Sequence, residues 1–277
     1  MYLIFDTETT GLPQSWKAPL TDFNNWPRCV QLAWQIHDKQ GKLVEVKNYI
    51  IKPEGYDIPF NSEKIHGIST ELALKQGMPL ADILIEFVKD VKKSQFVIGH
   101  NVEFDTNIIG CELLRKAMPN LLADFSSIDT KDDAANFCAI PVGKGGKFKW
   151  PKLTELHTKL FGEAFAEAHN ASADVEATAR CFLELVRLEI IPFSKAGLTA
   201  DEFKKYQEVN PNPFRLIGLN IEPYSAIESV DTIDDVMEMK INEVNEVSDS
   251  PFAHLHVHSQ FSILQATADV KDLVNKA

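Results

Sequence analysis

Asp6 and Glu8 stand two residues apart in the opening stretch MYLIFDTETTGL, just after an apolar run. If residues 2–5 form a strand, side chains at i and i+2 leave the same face, so the two carboxylates lie side by side. Like charges that close resist ionising unless something positive lies between them. The pair therefore asks for a cation, unless it is simply a solvated strand end. Two further stretches offer similar groups. Asp105 comes just beyond a short apolar run in IGHNVEFD, and His169 stands five residues before Asp174 in HNASADVEATA. Singly, each is weak, because an acidic strand end or a histidine before a helix is usually solvated surface. Together they are stronger. All the acidic positions fall at or just after the ends of expected elements, where an open α/β sheet gathers its sites. One arrives with an imidazole, which titrates near neutral pH.

The elements that must position these groups can be read from hydrophobic periodicity. After the opening strand and a Pro- and Trp-bearing loop, CVQLAWQIHD alternates apolar and polar residues, Gly41 marks a turn, and KLVEVKNYIIKP follows. These read as three antiparallel strands. STELALKQGMPLADILIEFVKDVKKS holds two helical stretches split near Gly77, Met78 and Pro79, with Ser69 and Pro79 as start signals. QFVIGHN reads as a short buried strand and EFDTNIIGCELLRKAM as a helix. A strand at FSSIDT, a loop to Pro151, and helices over 152–161 and about 171–189 complete the pattern. The expected fold class is α/β, a mixed sheet of three antiparallel strands plus parallel strands, with helices on its faces and a C-terminal extension.

The composition is that of a globular protein, 44% hydrophobic and 25% charged, and no apolar run approaches the ~20 residues that span a bilayer. The first residues lack a basic n-region, which argues against a secretory signal. Cys29, Cys111, Cys138 and Cys181 form no CxxC pair and read as free thiols of a cytoplasmic protein. The net charge of −12 looks wrong for a protein that binds nucleic acid, but its location matters. Residues 222–249 hold nine acids and one lysine, a net of −8, and residues 251–277 are neutral, which leaves −4 for residues 1–221. The acidity belongs to the tail and does not exclude DNA or RNA.

FDTETTGL, GHNVEFD and HNASADVEAT resemble, in order, the three motifs of the DEDDh 3′→5′ exonucleases. This is the superfamily of the proofreading epsilon subunit of bacterial DNA polymerase III. KIHGIS at 64–69 resembles a further signature of the family. The resemblance covers roughly residues 1–190 and fills all five functional positions, Asp6, Glu8, Asp105, His169 and Asp174. It implies a ribonuclease-H-like fold and two divalent metal ions, Mg2+ or Mn2+. Phosphodiester hydrolysis makes the same demand, since two hard cations about 3.5–4 Å apart stabilise charge on phosphorus and activate water. On this reading Asp6 serves both ions, Glu8 and Asp174 help hold the one that binds water, and Asp105 supports the other. His169 is then the general base. The resemblance also implies that Thr7, Thr9, Thr10, Gly11 and Leu12 meet the 3′-terminal nucleotide, with His66 against its base and Asn101 near the mouth of the site. The implied partner is a DNA 3′ end, single-stranded or frayed, together with other replicative polymerase subunits.

Some features fall outside this match. GKGGKFKWPK at 143–152 interleaves Lys144, Lys147, Lys149 and Lys152 with Phe148 and Trp150, which suits either a grip on a single strand or a solvated loop anchored by Trp150. An insertion at 13–28, with Trp16 and Trp26, has no assigned role. The expected organisation is a catalytic domain over 1–191, a helical extension and acidic linker over 192–250, and a final segment over 251–277. In that segment His254, His256 and His258 alternate on one strand face and resemble the start of a polymerase and histidinol phosphatase domain.

Overall fold

The computed structural model describes residues 1–141, 148–165 and 170–217. The acidic stretch from 222, the three closely spaced histidines of the final segment, His169, Lys144 and Lys147 lie outside the described residues. Among the described residues no helix is long and apolar enough to cross a membrane.

Five strands form one mixed sheet in the order β3-β2-β1-β4-β5. β1 (Tyr2–Thr9), β2 (Cys29–His37) and β3 (Leu43–Ile50) run antiparallel to their neighbours, whereas β4 (Phe96–Gly99) and β5 (Ser127–Asp129) continue parallel to β1. The expected three antiparallel strands plus parallel strands are all present. β1 runs farther than its apolar residues indicated, carrying both carboxylates inside the strand.

Eight helices complete the described chain: α1 (Phe60–His66), α2 (Thr70–Gln76), α3 (Leu80–Val91), α4 (Val102–Arg115), α5 (Thr130–Cys138), α6 (Leu153–Phe161), α7 (Ala171–Arg187) and α8 (Ala200–Val209). The break between α2 and α3 has a local cause. Met78 pairs with the end of β3, its N–H donating to Ile50 O and its carbonyl accepting from Lys52 N, and Pro79 starts the next helix. α8 begins with a reciprocal cap, Glu202 N–H to Thr199 Oγ1 at 3.2 Å and Thr199 N–H to Glu202 Oε2 at 2.8 Å. Neither α1 nor α5 was expected; α5 falls in the stretch read as a loop to Pro151.

Alternation along β1 sorts its side chains onto two cores. Tyr2 and Ile4 pack with Val175, Phe182 and Leu185 of α7, while Leu3 and Phe5 pack with Phe87 of α3 and Ile108 of α4. Because both faces are covered, β2 is buried along its whole length, including Gln31, Gln35 and His37. The polar alternation of β2 faces α7, not solvent, and its amides serve as ties. Gln31 Oε1 accepts from Ala171 N–H at 3.2 Å, and Gln31 Nε2 donates to Asn170 Oδ1 at 3.3 Å. These contacts fix the entry to α7.

Residues 192–217, grouped by composition with the linker, pack into the α7-side core. Ala196, Leu198, Phe203 and Tyr206 are buried there, the Tyr206 hydroxyl donates to Leu183 O at 2.8 Å, and Arg180 Nε donates to Phe214 O at 2.8 Å. Tyr206 is fully buried. Tyr206→Ala is therefore expected to lower unfolding free energy by about 3–5 kcal/mol in urea denaturation. A change under ~1 kcal/mol would mean that this segment is peripheral to the body.

Candidate active site

The sheet itself creates an opening. β4 pairs with β1 only at Tyr2, Leu3 and Ile4, then turns at Gly99 into α4, so β1 has no β4 partner from Phe5 onward. On the other side β2 stays paired as far as Thr9. The carboxyl ends of β1 and β4 thus border a crevice, the place where sheets of this kind accept ligands.

Three elements converge on it. Asp6 and Glu8 continue the face of β1 that bears Tyr2 and Ile4, and this face is covered by α7. α7 brings Asp174 in its first turn, placed by the Asn170 cap, whose Oδ1 accepts from Ser172 N–H at 3.1 Å. One carboxylate oxygen from each of Asp6, Glu8 and Asp174 lies within 4.8 Å of the others. All three side chains are half-buried and reachable. Asp105 comes from α4 on the opposite face and reaches the rim of β1, where its Oδ1 accepts from Thr7 N–H at 3.0 Å and Thr7 Oγ1 at 2.6 Å. The Thr7 amide takes there a partner that β4 does not supply.

This arrangement strains the carboxylates electrostatically. Burial, then the neighbouring charges of Asp105, Asp174 and Glu8, hold Asp6 well above the usual carboxylate range. Glu8 is pushed up to about 9 by burial and by Asp174 and Asp105. Burial raises Asp105 to about 7, against the opposing hydrogen bonds from Thr7. Such crowding is unfavourable without a counter-ion. An oxygen-only donor set of this kind matches a hard divalent cation such as Mg2+ or Mn2+.

The remaining residues singled out in the sequence are distributed as follows. Thr7 is buried and committed to Asp105. Thr9 Oγ1 donates to Gly11 O at 2.7 Å, Thr10 N–H donates to Arg28 O at 2.9 Å, and Arg28 N–H donates to Thr10 Oγ1 at 2.9 Å. Gly11 adopts φ +147°, with open space where a Cβ would lie, and Leu12 beside it is exposed. That turn needs glycine for its backbone angle. His66 ends α1 and is buried; its Nδ1 accepts from Ile68 N–H at 3.1 Å, and burial lowers its pKa to about 4, only partly offset by the Thr9 backbone. Asn101 is engaged by β5 and α5. It adopts φ 77°, its Oδ1 accepts from Lys131 Nζ, and its N–H donates to Asp129 Oδ1 at 3.0 Å.

Two positions that the sequence did not single out, Asp129 and His100, stand at the site, together with Lys152 of the basic stretch. Asp129 Oδ2 also accepts from Val102 N–H at 3.0 Å, so this carboxylate caps α4, the helix that presents Asp105. His100 and Lys152 line a cavity of about 390 Å³ together with Asp6, Asp174, Leu153 and Phe165. The signal for His100 was its place at the carboxyl end of β4; Asp129 had the same signal at the end of β5. The 13–28 insertion braces α4 from the other side. Trp26 is buried, and Arg115 of α4 donates to the carbonyls of Phe23 and Trp26 at 2.7 Å each.

With this geometry in place, comparison with known proteins is informative. Residues 3–182 match the RNase T exonuclease family. DNA polymerase III PolC-type from Streptococcus thermophilus is 31% identical over 198 residues, which cover 72% of this chain and 12% of that protein. The PolC-type polymerase of Streptococcus suis is 29% identical over 179 residues, 65% of this chain and 11% of that one. The chain therefore spans about an eighth of the length of the curated relatives it matches. Among solved structures, E. coli exonuclease I in complex with a dA16 oligonucleotide superposes with a TM-score of 0.54 and 22% identity, over 76% of this chain and 43% of that one. The same enzyme with a dT13 oligonucleotide gives 0.55 at 22% identity, over 74% and 45%. These superpositions show a shared fold. The family match covers well over half of the sequence and includes Asp6, Glu8, Asp105 and Asp174, so this chain belongs to the RNase T family of exonucleases and is a nuclease, a phosphodiester hydrolase.

Proposed function

We propose that the chain is a 3′→5′ exodeoxyribonuclease that works with two divalent metal ions, Mg2+ or Mn2+, and forms the proofreading part of a replicative DNA polymerase III. The observation that carries this reading is the meeting of Asp6, Glu8 and Asp174 within 4.8 Å, with Asp105 held at the rim by Thr7. Its polymerase context is supported by the PolC-type relatives, and DNA as substrate by the oligonucleotides named with exonuclease I. A form of exonuclease I with bound zinc ion and single-stranded DNA also supports a metal-dependent reading.

In this proposal Asp6, Glu8 and Asp174 hold one cation, and Asp6 and Asp105 serve the second. When bound, the ions supply charge neutralisation at the scissile phosphate and lower the pKa of water. His169 takes the proton of the attacking water on a ring nitrogen. Residues 9–12 receive the terminal nucleotide, where the exposed Leu12 and the open side of Gly11 leave room for a sugar and base. Asp129 keeps α4 in register so that Asp105 stays at the rim.

The test uses 3′-labelled single-stranded DNA with Mg2+ or Mn2+. Labelled mononucleotide should be the first product, and EDTA should stop its release. Primers with a mismatched 3′ end should be shortened faster than matched ones, because a frayed end reaches the crevice more often. Faster digestion of an RNA oligomer of equal length would replace the proofreading assignment with an RNA-trimming one. Release of internal fragments first would remove the 3′→5′ assignment.

A further inference from the structure

We propose that Trp150 is a stacking platform for a base upstream of the 3′-terminal nucleotide, a second subsite for single-stranded nucleic acid; this rests on the nuclease reading of the adjacent carboxylates. Trp150 is 64% exposed, whereas Trp26 and Trp34 are 3% and 0% exposed. An indole left in water beside a crevice offers a π-face that every base can stack on.

The ring does not ride on a loose backbone. Before it, Lys149 N–H donates to Ile140 O at 2.9 Å, and Pro141 bridges Phe148. After it, His100 Nε2 meets Pro151 O at 2.9 Å. A carbonyl can only accept, so this nitrogen carries the proton, and burial lowers the His100 pKa, favouring the neutral ring. His100 sits just past β4, at the strand end that borders the crevice. The same histidine that lines the cavity with Asp6 and Asp174 thereby pins the tryptophan segment to its edge.

The surroundings agree with a nucleic-acid strand. Lys152, two residues beyond Trp150, lines that cavity, and two residues of extended chain span about 6–7 Å. The Trp150 backbone consequently lies two residues from the edge of the cavity that Asp6 and Asp174 line. Lys131 Nζ lies 5.1 Å from the Trp150 ring centroid, held by Asn101 Oδ1 and by Asp129 at 3.7 Å. It props the indole, while Lys152 offers a cation to the phosphates. Of the lysines beside it, Lys149 is occupied by Glu155 at 2.7 Å.

The experiment compares a single-stranded oligodeoxynucleotide with the p-nitrophenyl ester of thymidine 5′-monophosphate, which fills only the terminal position. It uses the full chain with Mn2+. For Trp150→Ala, KM for the oligonucleotide is expected to rise about 5- to 150-fold. kcat should change little, and the ratio of oligonucleotide to ester kcat/KM should fall by the same factor. Trp150→Phe, which keeps a π-face, should recover part of the loss. Oligonucleotides carrying one abasic residue at successive positions from the 3′ end locate the stacked base. One position should be penalised in the unaltered protein, and that penalty should vanish in Trp150→Ala. An unchanged oligonucleotide KM, an equal loss on ester and oligonucleotide, or an abasic penalty that persists in the variant would each overturn the subsite. If the unaltered protein cleaves neither substrate, the nuclease reading fails instead. Anisotropy of a fluorescently labelled oligonucleotide then still decides the subsite, since Trp150→Ala must weaken binding by the same factor.

Discussion

Asp6→Asn is expected to abolish hydrolysis and, in the same protein, to raise the thermal stability of the metal-free form. The two effects share one cause. Asp6 is crowded by Asp105, Asp174 and Glu8, and the carboxyl pKa values of Asp6, Glu8 and Asp105 are raised by burial and like charge. A carboxyl whose pKa rises on folding takes up protons as the chain folds. Stability therefore falls as pH rises from its unfolded value to its folded one. For Glu8 that window runs from 4.5 to about 9, and for Asp105 from 3.8 to about 7. In EDTA the unaltered protein should accordingly lose melting temperature between pH 5 and pH 9, apart from its other titrations, and excess Mg2+ or Mn2+ should restore it most at the alkaline end. The amide removes one charge without removing volume. At pH 8 in EDTA Asp6→Asn should melt several degrees higher than the parent, with a smaller rise on adding metal. Its kcat/KM should fall by at least ~10³-fold, because a carboxylate shared by two ions is worth several kcal/mol in the transition state. A metal-free melting temperature unchanged by the substitution, or activity within tenfold of the parent, would remove Asp6 from the centre of the site.

Much of this architecture was legible in the sequence, and the reason lies in β1. Its alternation assigns even-numbered residues to the α7 face and odd-numbered residues to the α3 and α4 face, so Asp6 and Glu8 must meet whatever α7 brings. Asp174 is placed in the first turn of α7 by the cap residue Asn170, four residues ahead of it. The shape of the approach was less legible. Asp105 comes from the opposite face and touches β1 through Thr7, a contact across 98 residues that no local pattern records. Thr7, read as a neighbour of the nucleotide, is committed to this tie. Asp129 and His100 escaped notice because their work is done on distant backbone, the N-terminus of α4 and the carbonyl of Pro151.

The missed helices have a common physical origin. α1 buries only Ser62 and His66, and α5 only Thr130 and Ala134, so neither presents an apolar stripe at helical spacing. Tertiary contacts and terminal caps sustain them, Asp129 Oδ1 accepting from Lys131 N–H at 3.0 Å for α5. The early end assigned to β1 arose from the same limit. Carboxylates are depleted in strands, and here their placement in one reflects the site and not the propensity. Composition likewise divided the chain after residue 191, although Phe203 and Tyr206 carry the core farther. The helix of this extension was expected, whereas the burial of its two aromatics was not.

His169→Ala should separate chemistry from metal binding. The residue precedes Asn170, whose Oδ1 accepts from Gln31 Nε2 at 3.3 Å and from the Ser172 N–H at 3.1 Å. An imidazole there titrates near working pH and can accept the proton of water, while the carboxylates already supply a sufficient donor set for the cations. A general base contributes about 10²–10⁴-fold to rate. The variant should lose kcat by that factor while its affinity for Mn2+, followed by calorimetry with the unaltered chain in parallel, stays within about threefold. The rise of kcat/KM with pH through the histidine range should flatten in the variant, because the group that must be deprotonated is gone. Added imidazole should recover part of the rate, since a small base can enter the space that the side chain left. Parallel losses in rate and Mn2+ affinity would make His169 a ligand, and the proton of the attacking water would then need another acceptor.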